Sequence, residues 1–290
     1  MTASDSVLLA RFVLTRVRAA GLDPVELARA AGIGAGALDG PPGSIPGQCY
    51  PRLWELFERR AELPHVGLRA AERYGMGELG MIDYLLATAS TVGDGLRAAG
   101  EFGSALSTAR RLAVVGEDDR HVTFAAETAE KSRGAEVAAQ ASFAFLTARA
   151  RLGARERIAP VAVTLRERAP RHHAPYTEFF GTAAVDFGAD ADTLTLHRTD
   201  LDRRQFTADP GLAAVLRRAA TVATLSTPPA RAWADLLAAE LDSLSTLDTV
   251  SIDEMARRLD TSPRTLQRRL AAAGTSWSRE LASARRRAAW

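Results

Sequence analysis

The sequence predicts an α+β body with a helical lead, followed by an all-α segment. Three observations carry this expectation. Apolar residues recur at helical spacing through the first ~100 residues. Short alternating runs then appear, interrupted by one long Ala-rich helical stretch, which is the signature of a mixed α/β layer. Charge also divides along the chain: from Val250 to Trp290 nine arginines face Asp253, Glu254, Asp260 and Glu280. That end therefore carries +5, and the remainder carries −3 of an overall +2.

In the lead, Leu8, Leu9, Phe12, Val13 and Val17 predict a helix over 5–20, broken at Gly21-Leu22. Asp23-Pro24 reads as an N-cap with a first-turn proline, and Gly32 as the stop. A Gly/Pro-rich loop is expected over 34–47, then a helix from Leu53 to Leu63 and further short helices to about Ala99. Arg111–Gly116 and His121–Ala126 predict two strands joined by Glu117-Asp118-Asp119. Glu136–Leu152 predicts a long helix whose larger apolar residues are Val137, Phe143, Leu146 and Leu152. Val161–Leu165 predicts a strand and Pro175–Phe180 a short helix. Ala184–Phe187 and Thr193–His197 predict two more strands around a Gly/Asp turn. Leu212–Leu225 reads as helix, Ser226-Thr227-Pro228-Pro229 as linker, and Arg231–Leu244 as helix again.

Length suggests about two domains. The expected division is residues 1–205, a helix and linker over 206–230, and a C-terminal unit over 231–290. A 47% hydrophobic, 25% charged composition excludes wholesale disorder. No apolar run reaches the ~18 residues of a membrane span, and the start does not read as a signal peptide. The single cysteine, Cys49, excludes an internal disulfide framework and fits a reducing cytoplasm.

The C-terminal segment carries the sharpest pattern. Ser251-Ile-Asp-Glu254 has the spacing of a capping box, flanked by Val250 and Met255. The helix it opens places Ile252, Met255, Ala256 and Leu259 on one face. After Asp260-Thr261, Ser262 is a second N-cap with Pro263 at the first helical position, and Gly274 ends the helix. Leu266 and Leu270 are its buried residues; Arg264, Thr265, Gln267, Arg268 and Arg269 are its exposed ones. Two short helices across a tight turn, the second with a basic polar face, predict a helix-turn-helix whose helix 262–273 enters the major groove of double-stranded DNA. Arginine can bridge guanine O6 and N7, and glutamine adenine N6 and N7. The competing explanation is a solvated basic helix in a small bundle.

These residues resemble the DNA-binding domain of AraC/XylS-type transcription regulators, above all in the run Ser262-Pro-Arg-Thr-Leu-Gln-Arg-Arg-Leu270. The body resembles that family's arabinose-binding-type N-terminal domain. The shared islands include Gly21-Leu-Asp-Pro24, Gly67-Leu-Arg69, Gly80-Met81, Phe180-Gly181 and Val185-Asp-Phe187. The resemblance implies Arg264, Gln267 and Arg268 as base readers, and Ser262, Thr265 and Arg269 as backbone contacts or supports. Trp277 and Leu281 would anchor the following helix. It further implies a small-molecule effector, a homodimer and RNA polymerase as partners, with no cofactor, no metal and no membrane. Two features depart from the pattern. Asp260 stands where the family turn usually has glycine, and the given sequence ends within the helix that should lead to a second helix-turn-helix. A regulator lacking independent DNA binding, acting as sensor or dimerising partner, is therefore the alternative reading.

An enzyme is the minor alternative. Gly75-Met-Gly-Glu-Leu-Gly80 and Gly32-Ile-Gly-Ala-Gly36 follow helical text rather than a strand, so both are read as helix ends, not nucleotide loops. His172-His173 lacks metal-ligand spacing and reads as surface loop. Cys49 reads as a small packed residue. Phe102, Phe143, Phe145 and Tyr176 are candidates for an effector cavity or for plain core.

Overall fold

A computed structural model of the chain describes residues 3–39, 43–61, 63–72, 74–226, 237–238, 240–241, 250–259, 261–272 and 275–288. The lead opens with a three-residue strand that the sequence does not announce, β1 (Ser4–Ser6), and continues into α1 (Val7–Ala19), where Ser6 Oγ accepts from the Leu8 amide at 3.3 Å. α2 (Pro24–Ala30) has the predicted cap, with Asp23 accepting from Val25 at 2.8 Å, and Gly32 closes it in the left-handed region.

The expected loop over 34–47 is not one. It contains a short helix, α3 (Ala35–Asp39), and β2 (Ser44–Pro46), which pairs antiparallel with β1 so that Asp5 faces Ile45. A three-residue strand is too short to display alternation, and its partner lies forty residues upstream, so composition alone misreads it. α4 (Cys49–Ala61) starts four residues before the predicted Leu53. Tyr50, Leu53, Trp54 and Phe57 form its buried stripe, and Pro51 sits in its first turn where its missing N–H costs nothing. α5 (Val66–Arg69), α6 (Met81–Thr88) and α7 (Val92–Phe102) complete the lead; Thr91 caps α7 through the Asp94 amide.

The sheet is built from β3 (Arg110–Glu117), β4 (His121–Thr128), β5 (Ala162–Leu165), β6 (Val185–Phe187) and β7 (Thr193–His197), in the order β3-β4-β7-β5-β6. The two strands around the Gly/Asp turn do not pair with each other. β5 lies between them, antiparallel to β7 and parallel to β6. Leu194 and Leu196 of β7 are fully buried, as a central strand requires.

α8 (Arg133–Ala154) is the long helix, capped by Ser132. It lies so close to its neighbours that two positions must be glycine. A Cβ on Gly134 would sit 1.8 Å from the Pro51 carbonyl oxygen of α4, and one on Gly67 of α5 would sit 2.9 Å from Gln140. Val137, Phe143 and Leu146 are buried, but Leu152 is 61% exposed. In that last turn Gly153 takes the packed position, against Gln205. Arg133 pairs with Glu58 of α4 at 2.6 Å and with the buried Glu167 after β5 at 2.6 Å, tying three layers together. α9 (Ala174–Phe180), α10 (Arg198–Leu201) and α11 (Pro210–Ser226) complete the body. Gln205 Nε2 donates to the carbonyls of Leu86, Ala89 and Thr91 at the α6–α7 junction.

Ser226, assigned to the linker, ends α11; the rest of that linker lies outside the described residues, as does most of the predicted helix 231–244. The described residues form two separate apolar cores. One runs from Val7 to Ala220, and the other joins Leu237, Leu241, Met255, Ala256, Leu266, Leu270 and Ala284. Among the described residues no helix is long and apolar enough to cross a membrane.

Candidate nucleic-acid interface and sensor cavity

The smaller core positions the C-terminal helices. α12 (Ile252–Arg258) opens on Ser251, whose Oγ accepts from the Glu254 amide at 3.2 Å. The predicted capping box is half made: Glu254 takes the Arg258 guanidinium at 3.3 Å, the i,i+4 partner within its reach. The turn closes through the Thr261 amide on the Ala256 carbonyl at 2.8 Å, and Ala256 is fully buried. Asp260 and Gly274 lie outside the described residues.

α13 (Pro263–Ala272) starts as the sequence predicts. Ser262 Oγ accepts from the Thr265 amide at 3.2 Å and donates to Thr265 Oγ1 at 2.9 Å. Leu266 and Leu270 are fully buried on one side. Arg264, Gln267 and Arg268, spaced i, i+3, i+4, are exposed together on the opposite side. Thr265 is half-buried. Of Arg269 only the backbone, within α13, is described. α14 (Trp277–Ala288) follows, with Ser276 capping the Arg279 amide at 3.4 Å; Trp277 and Leu281 pack against the smaller core. A polar basic face is thus held rigid by two leucines and two N-caps, a geometry suited to presenting side chains to a groove.

The body holds a cavity of 160 Å³ between the lead, α8 and the β3–β4 hairpin. Phe12, Tyr50, Leu112, Phe145 and Leu146 give it an apolar wall, and Ala135, Ala138 and Ala139 of α8 leave the space open. Its polar corner is Arg110. Nη1 donates to both oxygens of Asp5 at 2.8 and 2.7 Å, and Nη2 to the Gly47 carbonyl at 3.1 Å and Glu130 at 3.2 Å. Ser107 Oγ donates to Asp5 at 2.6 Å. Burial holds the Asp5 carboxyl above its ordinary pKa, against the pull of Arg110 and Ser107. Burial likewise pushes the Tyr50 phenol up to about 12, so it keeps its proton. Arg111, at the rim, is paired with Glu127 at 2.7 Å.

Of the four aromatics the sequence nominates, Phe145 borders this cavity; Phe102, Phe143 and Tyr176 are buried in the core beyond it. Asp5, Tyr50, Ser107 and Arg110 escaped sequence reasoning, because no local pattern joins residues about a hundred positions apart. His172 and His173 are exposed ahead of α9, and among the described residues no group of three or more metal-ligating side chains comes together. Gly75–Gly80 lies in turns between α5 and α6 rather than after a strand, with Gly80 at the start of α6. Cys49 is buried, its Sγ 3.5 Å from the Gly32 carbonyl.

An α+β body with an apolar cavity, followed by a separately cored helix-turn-helix, defines a ligand-controlled DNA-binding transcription regulator. The chain belongs to the AraC family of transcription regulators: residues 21–205 match the family described as the arabinose-binding domain of AraC transcription regulator, N-terminal. It is 25% identical to the ornithine utilization regulator of Pseudomonas aeruginosa, over 98% of this chain and 83% of that protein. Its fold is similar to the crystal structure of transcriptional regulator CdpR from Pseudomonas aeruginosa. That similarity has a TM-score of 0.53 and 20% identity, and covers 96% of this chain and 83% of the other.

Proposed function

We propose that this chain is a cytoplasmic regulator whose α13 enters the major groove of double-stranded DNA. Arg264, Gln267 and Arg268 read base edges, and Ser262, Thr265 and Arg269 hold or support the backbone contact. A small molecule in the N-terminal body sets the DNA affinity by binding one state of that body more tightly than another. Two copies acting as a homodimer would read paired half-sites, with RNA polymerase as the downstream partner. The observation that carries the reading is the joint exposure of Arg264, Gln267 and Arg268 on the side of α13 opposite its buried leucines.

The test titrates the full chain against the DNA upstream of its own gene over a range of salt concentrations, with Arg268→Ala beside it. Sequence-preferring binding that weakens in the variant supports the reading. Equal affinity for unrelated DNA, or an unaffected variant, overturns it.

A further inference from the structure

We propose that the 160 Å³ cavity beside Arg110 is the effector site, and that it takes a compact, uncharged molecule with an apolar body and one hydrogen-bond acceptor. The inference rests on the reading of the body as the ligand-binding half of the regulator, and adds to it a place and a chemical class.

Size comes first. A cavity of about 150 Å³ lined by apolar side chains holds benzene. The space here, 160 Å³, therefore suits one ring with a short substituent rather than a sugar, a nucleotide or a fatty chain. Alanines at 135, 138 and 139 are what keep it open, since a leucine at any of them would project into the same volume.

Polarity comes second. The groups at the polar corner that still have something to give are donors. Arg110 Nε is buried with no protein partner among the described residues, so an acceptor that enters with the ligand reaches it by a small shift of the guanidinium and relieves the cost of the unpaired N–H. Tyr50 also lines the wall, and its buried phenol keeps its proton.

Charge decides between a neutral and an anionic acceptor. The Arg110 guanidinium already meets two carboxylates, Asp5 and Glu130, and Arg111 meets Glu127. No positive charge on this wall is left over for an anion. A carboxylate ligand would have to displace Asp5 or enter beside it, and like charges at that distance repel. A carbonyl or ether oxygen meets the Nε–H without that conflict.

The site joins several layers of the body. Its walls come from α1, α4, α6, α7, α8 and the β3–β4 hairpin, and the Asp5–Arg110 pair ties β1 to the start of β3. A ligand that fills the space and engages Arg110 favours the state in which these layers are closed upon one another.

The experiment measures binding of three probes to the full chain without DNA, by ligand-observed NMR and thermal shift. Acetophenone carries a ring and a neutral acceptor, ethylbenzene lacks the acceptor, and benzoate carries a charge. Acetophenone is expected to bind saturably, about tenfold more tightly than either of the others. Ala139→Leu is expected to abolish that binding. Leu112→Phe fills the same space from the sheet side, so misfolding of one variant leaves the other to decide. Arg110→Lys keeps a cation beside Asp5 but removes the Nε–H, and should bring acetophenone down to the level of ethylbenzene. Binding of acetophenone that survives both filling variants overturns the site. Tightest binding of benzoate overturns the ligand class. Because no DNA is present, these results stand or fall apart from those of the operator titration.

Discussion

Arg110 Nη1 lies within hydrogen-bond distance of both carboxylate oxygens of Asp5, 105 positions away in the sequence. The pair fastens the first strand of the chain to the first strand of the large sheet, with Asp5 fully buried and Arg110 partly exposed. Removing one partner of such a pair strands the other's charge. Asp5→Ala should destabilise the body by about 3 kcal/mol, read by urea denaturation. A loss under half a kcal/mol would mean that the guanidinium finds water or Glu130 instead.

The same carboxylate gives a pH dependence of definite sign. Burial holds its pKa above the ordinary 3.8, so the folded state binds its proton more tightly than the unfolded chain does. The stability this group contributes is complete below pH 3.8 and is lost as pH rises through the folded value. Asn at position 5 has no such dependence. The stability lead of the wild type over Asp5→Asn should therefore be larger at pH 4 than at pH 7. A lead that grows towards neutral pH would show that attraction to Arg110 outweighs burial.

The space around Gly134 of α8 and Gly36 of α3 predicts opposite effects of adding a methyl group. A methyl at Gly134 would overlap the Pro51 carbonyl, which belongs to a helix backbone and cannot yield alone. Gly134→Ala should cost at least ~3 kcal/mol, beyond usual overpacking, because α4 and α8 must separate. Gly36, exposed within α3, has nothing within 4 Å of its would-be Cβ. Gly36→Ala should raise stability by about 0.5 kcal/mol by restricting the unfolded chain. Thermal melts of both variants check the contrast.

The helix-turn-helix was legible because its determinants are local. Ser251, Ser262, Pro263, Leu266 and Leu270 lie within twenty residues, and caps and helical periodicity act over that range. The long helix and the β3–β4 hairpin were legible for the same reason. β1 and β2 were not, since three-residue strands carry no period and depend on each other across forty residues. The separation of β6 from β7 by β5 was equally hidden, because a Gly/Asp turn marks a reversal without saying which strand fills the gap. The cavity was hidden most deeply. It is a place where side chains are missing, and Ala135, Ala138 and Ala139 read simply as good helix formers.

The two cores imply local unfolding that is separable. Leu266 is fully buried in the smaller core and makes no part of the larger one. Leu266→Ala should cost about 3 kcal/mol there. Amide hydrogen exchange should then show protection falling about a hundredfold in α12 and α13 while β4 and β7 are unchanged. Equal loss in both would mean that the cores unfold as one.

The face of α13 makes the sharpest demand on function, because reading a base and touching a phosphate leave different salt signatures. Each phosphate neutralised by a cation contributes about 0.9 to the slope of log affinity against log salt. Gln267 is uncharged, exposed and on the same face as Arg264 and Arg268. If it reads an adenine edge, Gln267→Ala should lose about 1–3 kcal/mol on the preferred site, lose little on a site altered at that one base pair, and leave the salt slope intact. Arg269→Ala, if its partner is the backbone, should weaken all sites alike and lower the slope by about 1. Titrations of both variants on matched and single-substituted sites at four salt concentrations distinguish the roles. A Gln267→Ala protein that loses affinity uniformly would remove that residue from base reading and leave the two arginines to carry the specificity.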